Sequence, residues 1–225
     1  MGKQWIKRGM AAGMLLAIYL LSREGAVMAA KEQVRDPAVI VIDSGHGGID
    51  PGVVGIDGLE EKGINLKIAG YLGGYLEKEG FRVVFTREDD RGLYEEDSPN
   101  KKNQDLKNRC ALIRETAPVL TISIHQNSYQ DQSVCGPQVF YYTDSDAGRS
   151  AAKILQEELN QIEPAYSREE KGNSSYYILK NAEVPVVIVE CGFLSNAEEA
   201  EMLVSNEYQD TLSEAVAEGI KKYID

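Results

Sequence analysis

"VIVIDSGHGGIDPG", residues 39–52, joins an apolar run to a cluster of glycines with a histidine in its middle. Val39 to Asp43 suffice for a short buried strand, and the Ser, Gly and Pro residues that follow cannot extend it. His46 therefore falls on a loop just beyond a strand end. Gly45 and Gly47 on either side let the backbone approach something bulky and leave the imidazole unshielded, which suits a ligand or a catalyst. A turn histidine without function is a second reading. A phosphate-binding loop is a third, since a strand followed by Gly45-x-Gly47 opens a dinucleotide fingerprint, but Asp50 occupies the place of the third glycine.

Outward from this stretch, strand-like and helix-like segments alternate. "AVIVID" (38–43) reads as a strand, "INLKIAGYLGGYLEKEG" (64–80) as a helix with Ile64, Ile68, Leu72 and Leu76 on one face, and "FRVVFT" (81–86) as a second strand. This is a β-α-β opening. Residues 87–104, "REDDRGLYEEDSPNKKNQ", contain almost nothing apolar and are too long for a casual connection, so they read as a lid or a partner surface. A helix over 105–116, strands over 119–125 and 137–143, and a helix over 147–162 follow. A polar stretch, 164–183, then leads to strand "VPVVIVE" (184–190) and two closing helices, 196–204 and 206–224. Near-continuous apolar strands alternating with helices indicate one α/β domain with a mainly parallel sheet covered on both faces.

With 225 residues, 43% apolar and 27% charged, the chain has room for one domain with a sizeable core. Residues 1–30 read as separate from it. Lys3, Lys7 and Arg8 precede an apolar run from Gly9 to Leu21, and small residues, Ala26, Ala29 and Ala30, close the segment. Thirteen apolar residues fall short of the ~20 of a spanning helix, so a signal peptide or an N-terminal membrane anchor is expected, with 31–37 a short linker and 38–225 the folded domain. Export places the protein outside the cytoplasm.

Setting aside Lys3, Lys7, Arg8, Arg23 and Glu24 takes the formal charge from −12 to −15. Such a surface repels polyanions and argues against nucleic acid as a partner. Cys110, Cys135 and Cys191 form no C-x-x-C pair and read as free thiols rather than a zinc site, although one disulfide is open to them.

The two histidines of the chain, His46 and His125, both close apolar strands. In a parallel sheet those ends share one edge, where ligands of open α/β folds collect. A third strand ends in Glu190, a charge that a core strand does not carry without a partner. Two imidazoles and a carboxylate make a zinc set with a position left for water, and the carboxylate could be Glu60, Glu61 or Glu190. Spacing does not choose between them. The alternative for Glu60 and Glu61 is a favourable charge at a helix N-terminus, and for Glu190 a buried ion pair.

"DSGHGGIDPGVVG", "EEKGINL", "SIHQNS" and "VIVECGFLSN", in this order, resemble the four signatures of the zinc-dependent N-acetylmuramoyl-L-alanine amidases of the amidase-3 family. The resemblance covers about residues 38–223. It implies that His46, Glu61 and His125 hold Zn2+, with Glu61 chosen because it directly precedes Lys62, and that Glu190 is the catalytic carboxylate. It also implies a sheet of about six strands flanked by helices. Ser44 departs from the pattern, which usually has proline there. The short N-terminal segment, the absence of wall-binding repeats and the 86–113 stretch are similar to the germination-specific branch of the family, which strips stem peptides from muramic acid in making the spore cortex.

The implied reaction is hydrolysis of the amide between N-acetylmuramic acid and L-alanine in peptidoglycan, with a possible activating or docking protein at the 87–104 segment. Two other classes compete: a Cys-His hydrolase using Cys191, and a non-catalytic peptidoglycan-binding protein marked by loss of a ligand or of Glu190. Asp43 reads as a group that orients an imidazole or as a turn carboxylate. Arg109 reads as a contact for a substrate carboxylate or as a helix-surface arginine, and Tyr176 and Tyr177 as a sugar groove or as exposed strand residues.

Overall fold

The computed structural model describes residues 13–14, 17–23 and 36–225. Most of the export segment and linker expected over 1–37 lies outside the described residues. None of the helices among the described residues is long and apolar enough to cross a membrane. The fold below is that of Ala38–Asp225, a unit distinct from Met1–Pro37.

Six strands form one sheet: β1 (Val39–Ser44), β2 (Arg82–Phe85), β3 (Leu120–Asn127), β4 (Gln138–Tyr142), β5 (Lys171–Asn173) and β6 (Val186–Phe193), in the order β2-β1-β3-β6-β4-β5. Strands β2, β1, β3 and β6 run parallel, β4 pairs antiparallel with β6, and β5 is parallel to β4. The expected α/β class and mainly parallel sheet are as found. Apolar residues on both sides of the central strands explain this arrangement. Ile40 and Ile42 pack into one core with helices α1 (Glu61–Lys78), α3 (Asp146–Leu159) and α6 (Asn206–Ile224), whereas Val41 packs into a second with α2 (Lys101–Thr116) and α4 (Tyr177–Asn181). Helix α5 (Ala197–Val204) precedes α6.

Helix α1 buries Ile64, Ile68, Leu72 and Leu76, as their spacing of four requires. Helix α2 starts at Lys101, ahead of its first apolar residue, because the Asn100 side chain accepts the Asn103 N–H and caps it. The stretch 164–183, read as polar connection, holds β5 and α4. Tyr176 and Tyr177 thus stand at the start of a helix and not on a strand.

The parallel register aligns Ser44 with Ile124 and His125 with Glu190, so three strand ends meet at one rim. A register shift between His125 and Asn127 then opens the end of β3.

Candidate metal centre

His46 follows β1 on a turn in which His46, Gly47 and Gly48 all have positive φ (62°, 134° and 57°). Gly47 and Asp50 exchange backbone hydrogen bonds of 3.0 and 3.1 Å, which folds the loop back on itself. That turn brings Asp50 Oδ2 to 2.9 Å from His46 Nδ1 and leaves Nε2 directed at Glu61, 3.3 Å from Oε2. A carboxylate on one ring nitrogen fixes the imidazole orientation and frees the other as a donor to a metal. Asp50 is in turn held by Lys102, whose Nζ lies 2.6 Å from Oδ1.

Glu61 opens α1 with its side chain turned inward and buried, while neighbouring Glu60 is half exposed against Lys62. Its Oε1 accepts from the Gln126 N–H (3.0 Å) and Asn65 Nδ2 (3.2 Å), and its Oε2 from the Val53 N–H (2.8 Å). Oε1 also lies 2.9 Å from His125 Nδ1. Burial favours the neutral acid, but the hydrogen bonds from His125 and His46 outweigh it and hold the carboxyl well below the usual range. For His125 burial disfavours the charged ring, and the contact with Glu61 outweighs it, raising the pKa to about 9.

One donor atom from each of His46, Glu61 and His125 lies within 4.8 Å of the other two. The imidazoles meet edge to face, 5.0 Å between centroids. Two glycines make the room. A Cβ on Gly45 would stand 2.3 Å from the His125 ring, and one on Gly52 2.4 Å from Glu61 Oε2. The Gly45 beside His46 therefore serves the other histidine. Two imidazole nitrogens and an already ionised carboxylate fit a divalent zinc ion by donor type and spacing. The stabilisation that Glu61 draws from its neighbours is what such an ion would supply.

Glu190 lies beside this cluster, across from His125 in the β3–β6 register, with 7% of its surface exposed. Among the described residues its Oε2 has no hydrogen-bond partner. Burial pushes its pKa up to about 7 against the pull of His125 and His46. The next residue points the other way. Cys191 is wholly buried in the core shared with α1, its Sγ 3.7 Å from the Val189 carbonyl oxygen, and burial pushes its thiol far up. A neutral core thiol is no nucleophile, so the Cys-His reading is withdrawn. The mark of a non-catalytic binder is also missing, since all four residues are present and converge.

Asp43 and Arg109 have roles that the sequence reading did not assign. Asp43 hydrogen-bonds to neither imidazole; it accepts from Thr86, Ser123 and Arg109 at 2.7, 2.6 and 2.7 Å. Arg109 is neither on the surface nor in the cleft, being 2% exposed. It donates to the Ser44 carbonyl (2.7 Å), the His46 carbonyl and Asp105 (2.6 Å). Arg87, also buried, donates to the carbonyls of Ser44 (2.9 Å), Gly45 (2.9 Å) and Lys62 (2.8 Å). Two arginines thus hold the carbonyls of three successive residues in the His46 loop, a role visible only once the chain is folded. The 87–104 segment is pinned at the same place, with Tyr94 Oη accepting the Ile49 N–H at 3.0 Å. Cys110, Cys135 and Cys191 are all unbridged.

The four residues lie in a cleft of about 520 Å³ that is also lined by Lys102, Leu106, Tyr176 and Tyr177. A larger hollow of about 920 Å³, formed by the 85–96 loop, contains none of the four.

Residues 40–222 match the family described as N-acetylmuramoyl-L-alanine amidase. The germination-specific N-acetylmuramoyl-L-alanine amidase of Bacillus subtilis (strain 168) is 36% identical over 188 residues, 82% of this chain and 79% of that protein. The CwlD amidase of Clostridioides difficile, solved in complex with the GerS lipoprotein, superposes with a TM-score of 0.81 at 38% identity, covering 83% of this chain and 98% of that one. The catalytic domain of CwlV from Bacillus (Paenibacillus) polymyxa var. colistinus gives 0.72 at 29% identity, over 84% and 98%. With its fold, its ordered motifs and nearly all of Ala38–Asp225 matched, the chain belongs to the N-acetylmuramoyl-L-alanine amidase family.

Proposed function

We propose that this chain hydrolyses the amide between N-acetylmuramic acid and the first L-alanine of the peptidoglycan stem, with His46, Glu61 and His125 holding one zinc ion and Glu190 acting as base and acid. The observation that carries this reading is a buried carboxylate, one oxygen of which has no hydrogen-bond partner among the described residues, beside a three-donor cluster in an open cleft. Bound there, zinc supplies a Lewis acid for the amide carbonyl and lowers the pKa of a water molecule to about 7.

The protein's own groups do the rest. Asp50 holds His46 Nδ1 so that Nε2 is directed toward Glu61, where it would hold the metal, and the backbone N–H groups of Val53 and Gln126 fix the Glu61 carboxylate. Glu190 takes a proton from the attacking water and returns it to the departing alanine nitrogen, one carboxylate serving both halves of the reaction. Its burial, which favours the protonated form, strengthens it as the base that takes the proton from water.

The wider setting follows from the relatives. A germination-specific relative supports removal of stem peptides during spore cortex maturation. The complex between CwlD and a lipoprotein supports a docking partner for this chain. Such work is done outside the cytoplasm, and residues 1–30 serve as export signal or anchor, joined by 31–37 to a catalytic domain at 38–225. Sequencing the N-terminus of the protein recovered from its host separates cleavage from retention.

Purified full-length protein incubated with defined muropeptides, with products identified by mass, tests the reaction. Intact glycan and free stem peptide, formed with zinc and lost with a chelator, are expected. Cleaved glycan, or activity indifferent to chelation, would overturn the reading.

A further inference from the structure

Lys102 stands on the first turn of α2 and lines the cleft together with Leu106, Tyr176 and Tyr177. Among the residues lining the cleft it is the only lysine or arginine, and it shares that cleft with Asp50, Glu61 and Glu190. Its ammonium lies 2.6 Å from Asp50 Oδ1, yet the side chain remains 62% exposed. Asp50 uses its other oxygen to hold His46. An ammonium carries three N–H donors, and Asp50 is the one ion-pair partner of Lys102 among the described residues. Donors remain for a ligand without releasing Asp50.

The chain as a whole is acidic, with a formal charge of −12, which works against the approach of an anionic substrate. A single cation at the cleft, separated from the His46 ring by the width of one carboxylate, offsets that repulsion next to the scissile bond. We propose that Lys102 binds a carboxylate of the stem peptide, that of the residue following the alanine, and so selects stems in which this group is free over stems in which it is a carboxamide. After the alanine, whose side chain is an uncharged methyl, the second residue is the first that can bring a side-group charge near the cleaved amide. This inference rests on the amidase reading above.

The test uses full-length protein and three muropeptides alike except in charge: one with free carboxylates, one with the second-residue carboxylate amidated, and one with only the C-terminal carboxylate amidated. Turnover and, separately, calorimetric binding of the three released stem peptides are measured for wild type, Lys102→Met and Lys102→Arg. Wild type should prefer the free second-residue carboxylate by about tenfold, chiefly in KM, the worth of one partly exposed charge-assisted hydrogen bond. The preference should vanish in Lys102→Met and persist in Lys102→Arg, in turnover and in binding alike. No preference in wild type, a preference that survives Lys102→Met, or one that follows the C-terminal carboxylate would overturn the proposal. Equal losses on all three substrates would also overturn it, showing that Lys102 acts only through Asp50 on His46. If wild type cleaves none of them, the amidase reading fails by itself, and the binding measurement still decides the role of Lys102.

Discussion

Replacing Arg109 with methionine removes one guanidinium that serves five acceptors: Asp43, Asp105, the Thr86 hydroxyl and the carbonyls of Ser44 and His46. Its side chain and that of Asp43 are each 2% exposed, so water does not take over the lost bonds. Asp43 would remain buried with only the hydroxyls of Thr86 and Ser123. Removing one partner of a buried ion pair costs about 3–5 kcal/mol, because the other charge is left uncompensated. Against a total stability of ~5–15 kcal/mol, the variant is weakened but folds. Urea unfolding at neutral pH reads the loss directly. Adding Asp43→Asn to Arg109→Met removes the stranded charge and should restore part of it, about 1–3 kcal/mol by the desolvation cost of such a group. Zinc affinity of Arg109→Met, measured below its unfolding transition, should also fall, since the His46 carbonyl has lost its anchor. A loss under ~1 kcal/mol, typical of an exposed pair, or no recovery in the double variant, would refute the buried-pair reasoning.

Glu190→Gln should keep zinc and lose about 10²–10⁴-fold in kcat, the usual worth of a positioned base, and a rate equal to the parent would remove Glu190 from the chemistry. Gly45→Ala should abolish tight zinc binding while the circular dichroism spectrum stays native, because its Cβ would stand 2.3 Å from the His125 ring; undiminished affinity would show that the ring moves freely. Burial pushes the Asp43 pKa up, but Arg109 and Ser123 outweigh it and hold it at about 2, below the usual aspartate value of 3.8. A depressed folded-state pKa stabilises above the unfolded value, so this contribution, about 2 kcal/mol, is complete near neutral pH and fades as pH falls from about 4 through 2. Urea midpoints at pH 5 and pH 2.5 should therefore drop less in the Arg109→Met, Asp43→Asn double variant than in wild type; an equal drop would assign the acid sensitivity to other carboxylates.

The parts of the fold legible in the sequence are those where burial dictates residue type along a continuous run. Val39–Ile42 and Val186–Val189 are apolar because both sheet faces are covered, and Ile64, Ile68, Leu72 and Leu76 mark a helix with one buried face. His46, His125 and Glu190 were legible because a polar residue ending such a run interrupts the pattern. Glu60 and Glu61 could not be separated by spacing, since adjacent residues at a helix start differ only in which way the first turn faces. The ordered motifs favoured Glu61, the glutamate that the fold turns inward.

What stayed hidden depends on partners distant in the chain. Arg87 and Arg109 look like surface residues until the His46 loop presents its carbonyls to them. The 87–104 segment has almost no apolar residues because polar contacts hold it, among them Tyr94 to Ile49 and Lys62 to Asp90. Strand β5 has three residues and no period to detect, whereas the paired Ile178 and Leu179, both buried, were a signal that α4 packs on the sheet.

Diffraction at the zinc absorption edge, on crystals grown with zinc, measures the central claim most directly. One anomalous peak is predicted about 2.0–2.2 Å from a nitrogen of His46, a nitrogen of His125 and an oxygen of Glu61, with Glu190 outside that distance. A peak elsewhere in the molecule, or one bound by Glu190 in place of Glu61, would contradict the account.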